Sequence, residues 1–145
     1  IGKTDASDEE IIDACKKARI HDFIMTLPDK YNTYIGERGV KLSGGQKQRV
    51  AIYRGFIAKH PIILCDEPTG ALDAKNSEEI FKILKQLSKE KLVIVISHDE
   101  ILAKKYHDYL YEIKDYQLKL IHQIPITQRK KQEEKTKREK VRMCL

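Results

Sequence analysis

Residues 62–73 read IILCDEPTGALD, and residues 92–99 read LVIVISHD. Each stretch opens with an uninterrupted apolar run, which is typical of a β-strand covered on both faces. Between the two runs, Asp73 can cap a helix that extends to Leu87. A strand, a crossover helix and a second strand in this order predict a βαβ unit with a parallel sheet. The inner face of the helix is predicted to consist of Ile80, Phe81, Leu84 and Leu87.

Two further helices are predicted on the N-terminal side of this unit. Ser7 and Glu10 have the spacing of a capping box, and apolar residues then recur on one helical face, so we expect a helix from about residue 8 to residue 20. Residues 44–59 contain no Pro and alternate apolar with basic side chains at helical spacing, which predicts the second helix. Residues 29–39, which follow a proline and contain two glycines, are predicted to be a loop.

On the C-terminal side, residues 109–113 and 118–122 are predicted to form two short strands, joined as a hairpin. Beyond Pro125 the chain is mostly Lys, Arg, Glu and Gln. Residues 129–142 hold eight basic and three acidic side chains, so most of the formal charge of +6 lies there. We therefore expect no basic nucleic-acid-binding face on the folded part. We interpret residues 123–145 as a solvated tail, helical or disordered, with contact to anionic lipid head groups as the alternative role.

The cysteines and the hydropathy exclude several classes of protein. The three cysteines are far apart, and neither a C-x-x-C pair nor a histidine at ligand spacing accompanies them, so no zinc site or disulfide framework is predicted. No apolar run reaches the roughly 18 residues that a membrane span needs. The apolar content of 41% is sufficient for a packed core.

Polar side chains follow both predicted strands of the βαβ unit. Asp66 and Glu67 come directly after the first strand, and His98 follows the second. Ligands of open parallel sheets bind beyond the carboxyl ends of the strands, so we expect these side chains at one edge. One carboxylate of such a pair can hold a magnesium ion through its water shell while the other orients an attacking water. Taken alone, an Asp-Glu pair can also simply end a strand.

A serine and two glycines begin the helix predicted at residues 44–59. Exposed N–H groups at a helix start attract anions, and the glycines at 44 and 45 let a phosphate approach the backbone closely. Ser43 adds a hydroxyl donor. The turn is therefore a candidate phosphate cradle, although a Ser-Gly-Gly turn can also be no more than a helix cap.

The order of these motifs resembles the nucleotide-binding domain of ATP-binding cassette (ABC) proteins. LSGGQ at residues 42–46 matches the signature motif of that family, and IILCDE at residues 62–67 is similar to its Walker B strand. GALD at residues 70–73 is similar to its D-loop, and SHD at residues 97–99 matches its switch histidine. The resemblance covers about residues 5–122. It implies an α/β fold of the P-loop NTPase-like class, present in part, with a helical signature subdomain followed by βαβ parallel-sheet units.

The resemblance also implies a role for each matching residue. The residues that would contact the γ-phosphate of an ATP held mainly by a partner domain are Leu42, Ser43, Gly44, Gly45 and Gln46. Asp66 would help to hold Mg²⁺, and Glu67 would polarise the attacking water. His98 would hydrogen-bond the γ-phosphate, and Asp73 would pass across the dimer contact. ATP and Mg²⁺ are therefore the expected cofactors.

Several features depart from the family pattern. The usual phosphate-binding loop, G-x-x-x-x-G-K-[ST], is absent, and we reject residues 1–4 as a remnant of it because no buried strand precedes them and acidic residues follow. We therefore expect this chain to be the C-terminal part of one domain and not to bind ATP tightly by itself. Tyr53 and Gly55 stand where the family usually has Ala, and residues 114–116 stand where it usually has a Gly turn.

The resemblance implies a division of the chain and a set of partners. Residues 1–122 would be the C-terminal portion of a nucleotide-binding domain, with a helical signature subdomain at 1–60 and the Walker B to switch-histidine sheet region at 61–122. Residues 123–145 would be the basic tail. Expected partners are a second nucleotide-binding domain, in a head-to-tail dimer, and a transmembrane permease domain or subunit, with no nucleic acid. The chain would then lie at the cytoplasmic face of a membrane.

The function implied is ATP binding and hydrolysis that power transmembrane transport. One alternative is an ABC ATPase of DNA repair or translation, although the heptads of the coiled coils that such proteins carry are not visible. Another is an inactive truncated product. Residues 21–39 resemble exporters whose ATPase is fused behind membrane helices, whereas residues 67–73 look like free-standing ATPases of lipoprotein and macrolide export. The N-terminal block is longer and favours the exporter architecture.

Overall fold

The computed structural model of the chain describes residues 5–36 and 39–125. The rejected loop remnant at residues 1–4 and most of the basic tail lie outside these ranges. Of the described residues, those up to Leu102 form one compact unit, and those from Ala103 to residue 125 form a second. The elements are α1 (Asp8–Lys17), α2 (His21–Met25), a 3₁₀-helix (Lys30–Asn32), α3 (Gly44–Ile57), β1 (Ile62–Asp66), α4 (Ala74–Leu87), β2 (Leu92–Ile96), α5 (Glu100–Tyr106), β3 (Tyr109–Lys114) and β4 (Gln117–Gln123). The boundary at residue 122 stays a prediction.

The predicted βαβ unit is present in the first compact unit. β1 and β2 pair in parallel, from Ile62 opposite Leu92 to Asp66 opposite Ile96. α4 connects them, and its buried side chains form most of a core cluster with Ile52 of α3: Ile80, Ile83, Leu84 and Leu87. Burying an aliphatic side chain of this size stabilises a fold by about 1.5–3 kcal/mol. All four residues predicted for the inner face of this helix are buried, but Phe81 lies outside the cluster and Ile83, which was not predicted, belongs to it.

The two faces of the β1–β2 sheet differ, and the expectation that both are covered is wrong for the described residues. On one face, partly buried side chains pack against the core cluster: Ile63, Cys65, Val93 and Val95. On the other face the apolar side chains are exposed, and Leu64 is 74% exposed. The reason is that α3 and α4 both contribute to the cluster on the same side of the sheet. The uninterrupted apolar runs thus correctly predicted two strands, but they did not predict that only one face of the sheet is packed against helices.

The N-terminal helix begins as predicted and ends earlier. Ser7 Oγ accepts a hydrogen bond from the Glu10 N–H, and Glu10 Oε2 accepts one from the Ser7 N–H, which is the predicted capping box. The predicted end at residue 20 is wrong, because Arg19 has a φ of 54° and takes the chain out of the helix. The Ile20 N–H then bonds the Cys15 carbonyl and the Arg19 N–H bonds the Lys16 carbonyl, which is the pattern of a Schellman motif.

A second apolar cluster joins α1 to α3. Its buried residues are Cys15, Ala18 and Ile20, and Tyr53 and Phe56 of α3 pack against it. Tyr53 is therefore accommodated between the helices although the family usually has Ala there. Gly55 faces the other cluster, where a Cβ would lie 3.2 Å from Leu87 Cδ2, so α3 and α4 approach closely at this position.

The remaining elements follow the prediction with small differences. α3 ends at Ile57 rather than at residue 59, and the segment predicted as a loop contains the 3₁₀-helix. The second compact unit contains the predicted hairpin of β3 and β4, which pair antiparallel. Its two-residue loop, Asp115 and Tyr116, has positive φ at both positions, as a type I′ turn requires. The helix α5 was not predicted. Within the described ranges no helix is both long and apolar enough to cross a membrane.

Candidate functional site

Glu67 lies where β1 and β2 both end. Its N–H donates a hydrogen bond to the Ile96 carbonyl at 2.9 Å, so the parallel ladder continues one step beyond the paired residues. The φ of Glu67 is 44°, in the left-handed region that side chains other than Gly rarely adopt. Such a conformation costs on the order of 1–3 kcal/mol and is found most often at functional sites. The chain therefore turns sharply here, and the next residues leave the sheet.

His98 meets Glu67 beyond the strand ends. The distance from His98 Nε2 to Glu67 Oε1 is 3.4 Å, and the side chains are 97% and 35% exposed, respectively. The backbone behind His98 is ordered by its neighbours, since the Asp99 N–H donates to Ser97 Oγ and Asp99 Oδ1 caps α5 at the Leu102 N–H. We call Asp66, Glu67 and His98 the strand-end group. The sequence predicted that these residues share one sheet edge, and the structure brings Glu67 and His98 into contact.

Asp66 is adjacent to Glu67 in sequence but lies on the exposed sheet face. Side chains alternate along a strand, so Asp66 shares its face with Leu64, and both are exposed. Among the described residues no group of three or more metal-ligating side chains occurs. A magnesium ion does not require one, because it keeps several waters and usually takes one or two carboxylates together with substrate phosphates. The exposed carboxylate of Asp66 fits that kind of ligation.

The serine-glycine turn at the start of α3 is a complete helix cap. Ser43 Oγ accepts from the Gln46 N–H at 3.3 Å, and Gln46 Oε1 accepts from the Ser43 N–H at 2.8 Å. Because the Ser43 oxygen acts as the acceptor, its own O–H remains able to donate to a ligand. The N–H groups of Gly44 and Gly45 lie in the first helical turn, where no carbonyl of the same helix can accept from them. We call residues 42–46 the Ser43 turn. Ser43 is exposed and Leu42 half-exposed.

The Ser43 turn packs against the start of α4. A Cβ on Gly44 would lie 3.3 Å from Leu72 Cδ2, and a Cβ on Gly45 would lie 3.1 Å from Asn76 Oδ1. Asp73 caps α4, because its Oδ1 accepts from the Asn76 N–H at 2.8 Å. The Asn76 backbone and side-chain N–H groups both bond the Asp73 carboxylate, and they hold the pKa of Asp73 below its usual value. The structure thus places Asp73 close to the signature residues.

Two residues of this region, Asn76 and Arg49, were not predicted from the sequence. Asn76 Oδ1 accepts a hydrogen bond from Arg49 Nη2 at 3.2 Å, so the side chains of α3 and α4 are joined here. Arg49 lies six residues after Ser43, and Asn76 lies three residues after the cap Asp73. An amide at the third helical position can reach its own cap, and this spacing was the available signal.

The chain is similar to known proteins both in sequence and in structure. A family model described as "ABC transporter" matches residues 3–70. "ABC transporter B family member 24, mitochondrial" of Arabidopsis thaliana is 50% identical in an alignment of 110 residues that covers 70% of this chain and 16% of that protein. A multidrug export ATP-binding/permease protein of Staphylococcus aureus is 49% identical over 98 residues, 68% of this chain and 17% of that protein.

Solved structures give the same result. The structure of a bacterial Atm1-family ABC exporter with ATP bound matches with a TM-score of 0.67 and 39% sequence identity, over 81% of this chain and 20% of that chain. This chain therefore spans only between 16% and 20% of the length of these relatives.

Proposed function

This chain belongs to the ABC transporter family as part of an exporter-type nucleotide-binding domain, and on that premise we propose that it contributes two surfaces to composite ATP sites that drive transport. The Ser43 turn would donate hydrogen bonds to the triphosphate of a nucleotide held by a second domain. The strand-end group would act on a nucleotide whose phosphates are gripped by residues outside this chain. The observation that carries the proposal is the 3.4 Å approach of His98 to Glu67 at the sheet edge.

In this mechanism Glu67 is the group that activates water. Glu67 Oε1 faces His98, which leaves Oε2 to accept a hydrogen bond from an attacking water and to draw a proton from it. The positive φ of Glu67 and its backbone hydrogen bond to Ile96 hold the carboxylate beyond the strand ends. Positioning of this kind reduces the entropy that must be lost when the water is aligned for attack.

His98 and Asp66 would help to stabilise the negative charge of the phosphates, His98 by a hydrogen bond and Asp66 by holding Mg²⁺. The His98 side chain is almost fully exposed, so its ring can turn away from Glu67 and donate a hydrogen bond from its N–H to a γ-phosphate. Asp66 would hold Mg²⁺ through oxygen ligands, and the ion would supply neutralisation of the phosphate charge. On the second surface, the donors to a phosphate would be the Ser43 hydroxyl and the N–H groups of Gly44 and Gly45 in the first turn of α3.

We propose the following partners and location. The Ser43 turn and the strand-end group serve different nucleotides in a head-to-tail pair, so a second nucleotide-binding domain is needed for either surface to act. A transmembrane permease domain would receive the resulting motion, and the chain would work at the cytoplasmic face of a membrane. The export names of the relatives favour transport over a role in DNA repair or translation.

The proposal is tested in a completed domain, in which this chain follows the preceding part of the nucleotide-binding domain of the Staphylococcus aureus relative. Glu67→Gln should lower kcat for ATP hydrolysis by about 10²–10⁴-fold, the contribution typical of general base catalysis, while ATP-dependent dimerisation persists. Phosphate release and light scattering measure the two quantities. Glu112→Gln, on the exposed part of β3, is the matched control and should leave both unchanged. A Glu67→Gln variant that hydrolyses ATP at the parent rate would refute the assignment.

A further inference from the structure

The side chain of Asn76 bonds to two parts of the molecule. Its Oδ1 accepts from Arg49 Nη2 at 3.2 Å, and its Nδ2 donates to Asp73 Oδ2 at 2.8 Å. Arg49 belongs to α3, whereas Asp73 caps α4. One amide group therefore bridges the helix that begins at the Ser43 turn and the residue that precedes the other helix.

The same amide lies directly beneath the Ser43 turn. A Cβ on Gly45 would lie 3.1 Å from Asn76 Oδ1 and 3.3 Å from Asn76 Cγ, both closer than ordinary van der Waals contact. Gly45 is buried by this approach. The backbone of the turn therefore packs closely against the Asn76 side chain, so a displacement of that side chain would also displace the turn.

An amide can satisfy both neighbours, because it carries an acceptor oxygen and a donor NH₂ group. Arg49 offers only donors and needs an acceptor, whereas the Asp73 carboxylate offers only acceptors and needs a donor. Arg49 Nε is buried and has no hydrogen-bond partner in the part of the chain that the structure describes, whereas Nη2 of the same guanidinium group donates to Asn76 Oδ1. An aspartate at position 76 would retain the bond to Arg49 but repel Asp73.

We propose that Asn76 is a positioning residue that locks the Ser43 turn to Asp73, so that these two parts of the surface facing a second domain move as one body. The clamp itself is a property of this chain, whereas its consequence for hydrolysis rests on the proposed function. Asn76 touches no nucleotide in this scheme. It acts by fixing the donors of the Ser43 turn relative to the residue that passes across the dimer contact.

The clamp is tested in the 145-residue chain by amide hydrogen exchange. The Lys47 N–H, which bonds the Ser43 carbonyl at 2.9 Å, reports on the Ser43 turn, and the Ser77 N–H, which bonds the Asp73 carbonyl at 2.8 Å, reports on α4. Asn76→Ala removes the side-chain bonds but keeps the backbone bond that caps α4. The Lys47 amide should then exchange about five-fold faster, as expected for the loss of one or two hydrogen bonds, and the Ser77 amide should not change.

Two further variants make this result specific. Arg49→Ala should accelerate the Lys47 amide to a similar extent, and the double variant should exceed neither single variant by much, because both remove one clamp. Lys75→Ala changes an exposed residue of the same helical turn and should alter neither amide. Unchanged exchange at Lys47 in Asn76→Ala overturns the proposal. Equal acceleration at Lys47 and Ser77 also overturns it, because Asn76 would then stabilise the fold in general.

The consequence is measured as ATP hydrolysis in the completed domain defined above. Asn76→Ala should lower kcat about ten-fold with KM for ATP unchanged, because misplaced donors weaken the reacting geometry rather than the binding of ATP. A rise in KM alone, or parent kinetics despite faster exchange, overturns the positioning role. If the completed parent domain is itself inactive, the proposed function fails, while the exchange data still decide whether the clamp exists.

Discussion

The Ser43 turn and the strand-end group are assembled in different ways. Ser43 and Gln46 satisfy each other over three residues, so the turn is a property of consecutive sequence. Glu67 and His98 are 31 positions apart in the numbering and meet only because β1 and β2 pair in register above a packed helix. The comparison teaches that one half of the proposed chemistry depends on local structure and the other half depends on the core.

The largest expected effect in this comparison is a loss of stability when a side chain of the core beneath the strand-end group is truncated. Leu87→Ala should reduce the free energy of unfolding of the chain by about 2–5 kcal/mol, because it removes a fully buried side chain beneath the sheet and next to Gly55. Urea denaturation followed by circular dichroism measures it. Leu118→Ala, at a leucine that is 67% exposed, is the control and should change stability by less than about 0.5 kcal/mol. Equal effects would mean that the strand ends do not depend on this core.

A smaller effect is expected at the Ser43 turn, and the chain provides a matched control. Ser43→Ala and Ser7→Ala each remove a capping box of the same design, so each should cost about 1 kcal/mol of stability. Only the first should impair ATP hydrolysis in the completed domain. Ser43→Asp separates the two roles, since aspartate caps a helix well but brings negative charge toward a triphosphate.

The measurements for this pair are thermal unfolding of the chain and phosphate release by the completed domain. We expect Ser43→Asp to keep the stability of the parent and to lose most of its hydrolysis. If Ser43→Asp hydrolysed ATP at the parent rate, the turn would be a helix cap and nothing more.

The smallest effect concerns the pH dependence of the α4 cap. The pKa of Asp73 is lowered in the folded chain, chiefly by the N–H bonds from Asn76, so the folded state favours the ionised form. This contribution is fully present above the ordinary Asp pKa of 3.8 and is lost as the pH falls through the lower folded value. Unfolding measured between neutral and acidic pH should therefore show a loss in the parent that is absent in Asp73→Ser, which keeps a neutral cap. Identical pH profiles of the two chains would contradict the assignment.

Much of the fold was predictable because short-range physics dominates it. The capping box at Ser7, the Asp73 cap and the period of the α4 apolar face are local signals, and each appears in the structure as expected. The cap at Ser43, which was one of the two interpretations of that turn, is local as well. The errors occurred where a contact distant in sequence decided the outcome. Arg19, for example, adopts the conformation usually taken by Gly, and the helix ends there with Ile20 in the cluster against which Tyr53 and Phe56 of α3 pack.

The candidate site was predictable in composition but not in geometry. Motif order indicated Asp66, Glu67 and His98, yet the alternation of side chains places Asp66 on the exposed sheet face, beside Leu64. The spacing of Asn76 from Asp73 indicates only the local bond to the cap, whereas the bond between Asn76 and Arg49 depends on the packing of α3 on α4, which sequence spacing does not report.

By itself the sequence determined the order of the longer helices and of the four strands, the starts of those helices and the family resemblance, because caps, periodicity and motifs are signals within short stretches of the chain. Only the tertiary structure decided which sheet face is packed, where His98 stands relative to Glu67, and what lies beneath the Ser43 turn. Those features depend on how side chains distant in sequence fill a common volume, and dense packing allows few arrangements.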